Sequence, residues 1–242
     1  LRRVLNAGLL IWNVKIDMVA RPRIAVIDYG MGNLFSIINA CLTSGMEAKI
    51  TVSRKDIIAA DAVILPGVGA FIDAMEALRR LKLVSVIKDI AESDKPLLGI
   101  CLGMQLLMRK SYEFEDCKGL EIIKGDVVPF KEYFHEDGRR FKIPHINWNR
   151  IWKEEKDSWD KTLLDCLSDG EQMYFAHSYY CVPEDQGIII STTKYGTTEF
   201  CSAFKYRNII ACQFHPERSG GKGLLVYKEL FSRISKANGD DQ

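Results

Sequence analysis

Lys95-Pro96-Leu97-Leu98-Gly99-Ile100-Cys101-Leu102-Gly103-Met104-Gln105-Leu106-Leu107 is the stretch that decides how this chain folds. An apolar run ends at a cysteine set between two glycines, and apolar residues at helical spacing follow at once. Strand, sharp turn and helix in that order make a nucleophile elbow, written with cysteine in the place of serine. A turn this tight needs small neighbours, because a Cβ at either flank would collide with adjacent backbone. The turn lifts the sulfur out of the sheet and leaves it beside the first N–H groups of a helix. There the dipole favours a thiolate, and the same N–H groups can donate to an oxyanion. A buried cysteine serving as a small hydrophobe could carry the same letters, so the reading needs a base as well.

Four histidines are present: His135, His145, His177 and His215. His215 lies in Cys212-Gln213-Phe214-His215-Pro216-Glu217, directly after the apolar run Ile209-Ile210-Ala211. In an extended chain residues two apart point the same way, which would put Glu217 beside His215. Pro216 stiffens the link between them. A carboxylate in that position orients the imidazole and stabilises its charged form, so Cys101, His215 and Glu217 form a candidate triad. His177, near the end of an aromatic run, reads as a structural hydrogen-bonder before a second base.

The chain has 242 residues, enough to bury a substantial core in one α/β domain. Lysine and arginine number 33 against 32 acids, a balance that gives no electrostatic case for nucleic acid. Seven cysteines without a Cys-x-x-Cys pair argue against a zinc site and a disulfide framework. No apolar run approaches the roughly 20 residues that span a bilayer. These features predict a cytoplasmic protein with no metal and no cofactor. Residues 1–22 are expected to be a non-core extension. Arg2-Arg3 and the following apolar stretch faintly imitate a signal peptide, but Asn6 and Gly8 interrupt it and no cleavage site follows. An upstream start before Met18, or a contact helix, are the two readings of this segment.

Working outward from the elbow, residues 23–236 form the expected domain and 237–242 a tail. Ile24–Asp28, Ala48–Val52, Ala62–Leu65 and the Pro96 run read as strands. Asn33–Ser44 reads as a helix, and Phe71–Leu81 with Leu83–Ser93 as one or two helices, so the opening half is β-α-β-β-α-β-Cys-α. Gly119–Lys153 and the later runs up to His215 read as β-rich and antiparallel, with a turn at Glu136-Asp137-Gly138. Gly223–Ile234 should be the closing helix. The expected fold is α/β and flavodoxin-like, a mostly parallel central sheet flanked by helices with an added antiparallel β region.

Two glycine-bearing loops, Asp28–Asn33 and Pro66–Ala70, follow the first and third strands, where open α/β sheets bind ligands. Neither matches a nucleotide-binding glycine pattern. A backbone donor beside Cys101 is the better use: Leu102 would supply one oxyanion N–H and the Pro66–Gly69 loop another. Tight turns requiring positive φ explain the same glycines.

Taken together, the elbow, Gln105 and Gln213-Phe214-His215-Pro216-Glu217 resemble the class I, triad-type glutamine amidotransferases. Ile27–Leu34, Pro66–Phe71, Pro144-His145, Trp148-Asn149 and Tyr174–Tyr179 narrow the resemblance to the glutaminase branch of histidine biosynthesis. It covers Ile24 to Ile234. The resemblance implies that Cys101 attacks the side-chain amide of glutamine, that His215 protonates the departing ammonia, and that water releases glutamate from a thioester. It implies oxyanion N–H groups from Val68 and Leu102, and glutamine held by Gly67, Gln105, Ser178 and Tyr179. It also implies a separate (β/α)8 synthase subunit in a 1:1 heterodimer, met near Asn33, Trp148 and Asn149, which receives the ammonia. That partner would make imidazole glycerol phosphate and aminoimidazole carboxamide ribotide. Without such a resemblance, Asn33 reads as a helix cap and Trp148-Asn149 as packing and hydrogen bonding.

Three features depart from that branch. Asn147 stands where glycine usually precedes Trp-Asn, either altering a gate or filling a backbone position of positive φ. Phe35 and Glu217–Gly223 resemble a paralogous branch that feeds ammonia to a sugar-amidinating enzyme of surface polysaccharide synthesis. A free-standing cysteine hydrolase and a non-catalytic scaffold are the readings from other classes. Gln105 and the Ser178 loop argue against the first, and the intact Cys101, His215 and Glu217 against the second.

Overall fold

The computed structural model describes residues 21–114, 116–131 and 142–239. The expectations for the N-terminal segment, for His135 and for the turn at residues 136–138 lie outside the described residues. The first half alternates as β1 (Arg23–Ile27), α1 (Leu34–Thr43), β2 (Glu47–Thr51), α2 (Arg54–Ala59), β3 (Ala62–Leu65), α3 (Phe71–Arg80), α4 (Val84–Glu92), β4 (Leu97–Ile100) and α5 (Leu102–Leu106). There follow β5 (Met108–Ser111), β6 (Cys117–Lys118), β7 (Ile123–Pro129), β8 (His145–Arg150), β9 (Trp152–Lys153), β10 (Gln172–His177) and β11 (Tyr179–Pro183). The chain finishes with β12 (Ile189–Tyr195), β13 (Thr198–Tyr206), β14 (Ile209–Cys212) and α6 (Gly220–Gly239).

An eight-stranded sheet runs in the order β2-β1-β3-β4-β14-β13-β12-β9. Its first five strands are parallel; β13, β12 and β9 extend it by antiparallel pairing. Every residue of β3 and β4 is buried, as expected where helices cover both faces of a parallel sheet. One core, around Phe71, Leu78 and Ile87, lies under α3 and α4. The other, around Ile37, Phe214, Tyr227 and Trp159, lies under α1 and α6. α3 buries Phe71, Ala74, Met75 and Leu78, an i, i+3, i+4, i+7 stripe.

Three local readings change. α2 is an additional helix between β2 and β3: Ile57 is its one buried residue, too little to produce a periodic signal, and its start is set by the Ser53 side chain accepting from Asp56 N at 3.4 Å. The region after the elbow is not wholly antiparallel. β5 and β6 form a hairpin, and the chain then crosses to the far edge of β5, so that β7 runs parallel to it. α6 runs from Gly220 through Gly239, longer at both ends than the helix expected over Gly223–Ile234.

Two features of this frame assemble the site. Ile100 at the end of β4 pairs with Cys212 at the end of β14, and Cys101 N–H donates to Cys212 O at 2.8 Å. The residues after each strand, Cys101 and Gln213 to His215, therefore emerge together. β8 and β10 pair antiparallel with His145 opposite His177, and Ser178 alone separates β10 from β11.

The elbow also requires its glycines. A Cβ on Gly103 would stand 1.8 Å from Leu65 O, and one on Gly99 3.1 Å from Ala211 Cβ. Gly103→Ala should therefore destabilise the chain by about 3 kcal/mol or more, since backbone and not a mobile side chain must give way. Chemical denaturation checks this; a loss within ~0.5 kcal/mol would contradict it.

Candidate active site

Cys101 has φ +53° and ψ −108°, a left-handed backbone that a cysteine adopts only under constraint. The residue is 4% exposed, and Sγ approaches Ala176 O at 3.9 Å and Gln213 Nε2 at 3.5 Å. No disulfide joins any of the seven cysteines, all of which lie among the described residues. Burial pushes the Cys41 thiol up to about 12 and, with Glu229 nearby, Cys166 to about 11, while Cys181, Cys201 and Cys212 go higher still. Those five are poor thiolates at neutral pH, and of the other two, Cys101 and Cys117, it is Cys101 that lines a cavity beside the His215–Glu217 pair.

His215 follows β14 and is 2% exposed. Its Nδ1 lies 2.8 Å from Glu217 Oε1, whose carboxylate is itself buried. Glu217 reaches it by a route other than the extended one expected. Pro216–Arg218 is a single 3₁₀ turn with His215 at its start, and the side chain folds back onto the ring. Burial disfavours the imidazolium, but the charges of Cys101 and Glu217, with the hydrogen bond to Glu217, outweigh it and push His215 up to about 10. With Nδ1 given to Glu217, Nε2 has no hydrogen-bond partner among the described residues and is free to move a proton at the sulfur.

Cys101 opens on a cavity of about 210 Å³. Val68, Leu102, Gln105, Ser178 and Tyr179 all line it, so five residues expected around the substrate converge there. Gly67 lies just behind: a Cβ on it would fall 2.1 Å from Tyr29 Oη and 2.8 Å from Leu102 Cβ. The Tyr29 hydroxyl donates to Pro66 O at 2.6 Å and anchors the loop. Burial first, and then the charge at Cys101, raise Tyr29 above the ordinary range, so it remains a donor. Gly69, with φ +104°, is the residue of this loop that needs positive φ. The Leu102 N–H points to Gly67 O at 3.4 Å, a long bond that an incoming anion can displace.

Sequence reasoning missed Glu113, Gln213 and Tyr29. Glu113 also lines the cavity, and its carboxylate accepts from Phe71 N at 2.5 Å, at the start of α3. Burial raises its pKa while that hydrogen bond opposes the rise. Its sequence neighbourhood, Tyr112-Glu113-Phe114, carries no motif that marks a site. Gln105 donates from Nε2 to Tyr179 O at 2.9 Å and to Gln213 Oε1 at 3.0 Å, which uses both its hydrogens and leaves its carbonyl for a ligand.

His177 is a structural hydrogen-bonder, as expected. Its Nδ1 donates to Tyr179 O at 2.8 Å and its Nε2 accepts from His145 Nδ1 at 3.1 Å. His145 Nε2 in turn accepts from Asn149 at 3.3 Å. Phe130, Phe175 and Phe200 surround the two rings. Burial drives His145 down to about 4, and burial, against the opposing hydrogen bond to Tyr179 O and with the charge of His215 nearby, drives His177 to about 3, so both stay neutral. The Asn33 side chain makes no cap and stands apart from this network. Trp148 is 46% exposed, not packed in the core, and meets Tyr174 edge to face. Asn147 does not take positive φ: it sits in β8 opposite Phe175, and its Oδ1 accepts from Trp148 N at 2.9 Å.

A cysteine on an elbow, a buried histidine–carboxylate pair and a half-open cavity beside them define a protein able to cleave acyl bonds through a thioester. Residues 25–231 match the family model for glutamine amidotransferase class-I. The chain belongs to that family. It is 44% identical over 216 residues to "Imidazole glycerol phosphate synthase subunit HisH" of Aquifex aeolicus, covering 88% of this chain and 98% of that protein. The protein of the same name from Geobacter metallireducens is 41% identical over 214 residues, covering 88% and 99%. Among solved structures, a putative GMP synthase subunit from Thermoplasma acidophilum superposes with a TM-score of 0.66 at 18% identity, over 92% of this chain and 98% of that one. The structure of PurLQS from Thermotoga maritima gives 0.64 at 20%, over 88% and 99%. These two show the shared fold.

Two outcomes follow from the geometry. In Glu217→Gln the influence that helps hold His215 charged is lost, so the imidazolium gives up its proton at lower pH. The alkaline limb of kcat should move down from near pH 10 towards neutrality, and kcat/KM should fall by about 10³–10⁴. A pH–rate profile checks this, and an unmoved limb contradicts it. Gly67→Ala, which sets a methyl against Tyr29 and Leu102, should lower kcat by about tenfold or more while leaving thermal stability within a few degrees.

Proposed function

We propose that this chain is the glutaminase subunit of an imidazole glycerol phosphate synthase, hydrolysing glutamine and passing the ammonia to a (β/α)8 synthase partner in histidine biosynthesis. The observation that carries the reading is identity of 41–44% to synthase subunits over nearly their whole length, joined to a complete Cys101–His215–Glu217 arrangement. The sugar-amidinating reading rested on Asn147, Phe35 and the Glu217–Gly223 ending. Asn147 proves to be an ordinary strand residue, and the relatives named above bear the synthase-subunit name.

Cys101 Sγ attacks the side-chain carbonyl carbon of glutamine, and the carbonyl electrons move onto oxygen. The oxyanion collapses, the C–N bond breaks, and His215 gives its proton to the departing nitrogen, releasing ammonia and leaving a thioester. Water attacks the thioester, His215 takes its proton, and glutamate leaves with the thiolate restored. Glu217 holds the imidazole through both transfers. Glu113 and the free carbonyl of Gln105 suit the α-ammonium of the substrate, while Ser178 and Tyr179 close the other wall.

The oxyanion site has a switch built into one peptide unit. The Gly67 carbonyl occupies the Leu102 N–H, and the N–H of Val68 belongs to the same peptide plane. A half-turn of that plane removes the carbonyl and presents the Val68 N–H beside that of Leu102. Glycine at 67 makes the rotation sterically open. Low activity of the isolated subunit and activation on docking follow from this arrangement. The docking face is proposed at Asn33, Trp148 and Asn149 in a 1:1 complex, supported by the exposure of Phe35, Ile146 and Trp148. Among the described residues no helix is long and apolar enough to cross a membrane, and a cytoplasmic location suits the pathway.

Cys101→Ala, assayed with the cognate barrel subunit, should abolish glutamine-dependent synthesis while synthesis from added ammonium salt persists. Unchanged glutamine hydrolysis would refute the mechanism. Complementation of a histidine auxotroph by the two subunits together tests the pathway.

A further inference from the structure

Gln213 is fully buried at the centre of the site, yet the steps above give it no task. Its orientation is fixed from a distance. The Tyr179 carbonyl can only accept, so Gln105 must turn its nitrogen towards it. The second hydrogen of that nitrogen goes to Gln213 Oε1, which leaves Gln213 Nε2 as the atom facing Cys101 Sγ at 3.5 Å. Flipping either amide would set donor against donor or acceptor against acceptor.

We propose that Gln213 is a catalytic residue whose side-chain N–H, aimed by Gln105 and the Tyr179 carbonyl, donates to the Cys101 sulfur and stabilises its thiolate. The inference rests on Cys101 being the attacking group. The sulfur needs such a donor because it is nearly enclosed, and α5 has only five residues, which limits what the helix dipole supplies. A neutral amide also does something His215 cannot. When the thioester collapses, sulfur departs as an anion at the step in which the histidine is occupied with the proton of water. The Gln213 N–H is in place at that moment, since no proton transfer changes its charge.

Gln213→Met keeps the volume and removes the donor. In the full chain, the pH dependence of Cys101 alkylation by iodoacetamide should move upward by about one unit or more, the size expected for a lost hydrogen bond to a charged group. With the synthase partner, kcat for glutamine hydrolysis should fall about tenfold or more while KM changes less than about threefold. Gln105→Met leaves Gln213 in place but unaimed, and should move the alkylation profile the same way by a smaller amount. It decides the matter if Gln213→Met does not fold. An unmoved alkylation profile overturns the proposal even if kcat falls, because a purely structural role would act that way. The alkylation measurement does not depend on glutamine turnover. Persistence of hydrolysis in Cys101→Ala would therefore count against the glutaminase reading, while the role of Gln213 would still be decided by the alkylation profile.

Discussion

The 2.8 Å hydrogen bond from Cys101 N–H to Cys212 O is the contact on which the remaining geometry depends. It is the last rung between two parallel strands whose ends lie more than a hundred residues apart in the chain. Beyond that rung the two chains diverge in a controlled way: one turns into the elbow and the other runs on to Gln213 and His215. Holding a cysteine at φ +53° costs about 1–3 kcal/mol, and the surroundings must over-determine it. They do so through absences of side chain. Gly99 and Gly103 let the sheet and Leu65 press close, and Gly67 leaves room for Tyr29.

Electrostatics then separates one thiol from the rest. The other cysteines with displaced acidity are pushed up by burial, whereas Cys101 faces a histidine held cationic, an amide donor and a cavity. The same burial acts in opposite senses on the histidines. His215 overcomes it because the sulfur and Glu217 supply negative charge, and His145 and His177 submit to it because no negative charge offsets their burial. Three imidazoles in one small region thus hold different protonation states, and each state suits its place.

What could be read from the sequence was whatever depended on local spacing. Cys101 between glycines and the His-Pro-Glu run are short-range patterns, and the fold brings both to the same end of the sheet. Glu217 meets the His215 ring, but through a proline-started 3₁₀ turn in place of the extended link, since either geometry brings it near. α2 was invisible because one buried isoleucine has no period. The parallel placement of β7 depends on which edge of β5 the chain returns to, and local composition is silent on that. Glu113, Tyr29 and Gln213 acquire meaning only from what the fold brings against them, and no spacing rule reaches across 37 residues from Tyr29 to Pro66.

The neutral His145–His177 pair has one more consequence. Because neither ring carries a charge, each must be a donor at one nitrogen and an acceptor at the other. Tyr179 O determines the end of the sequence, so the tautomer of His177 dictates that of His145, and that in turn dictates which atom of Asn149 faces inward. The same carbonyl sets Gln105 and Gln213 on its other side. A line of polar groups from β8 to the sulfur therefore has a single consistent sense, like a row of arrows. It cannot be half reversed: a disturbance at Asn149 either leaves the whole alignment intact or breaks it at a point where an unpaired group costs about 1–3 kcal/mol. Orientation, and not charge, is what this fold can carry between its surface strand and its buried thiol.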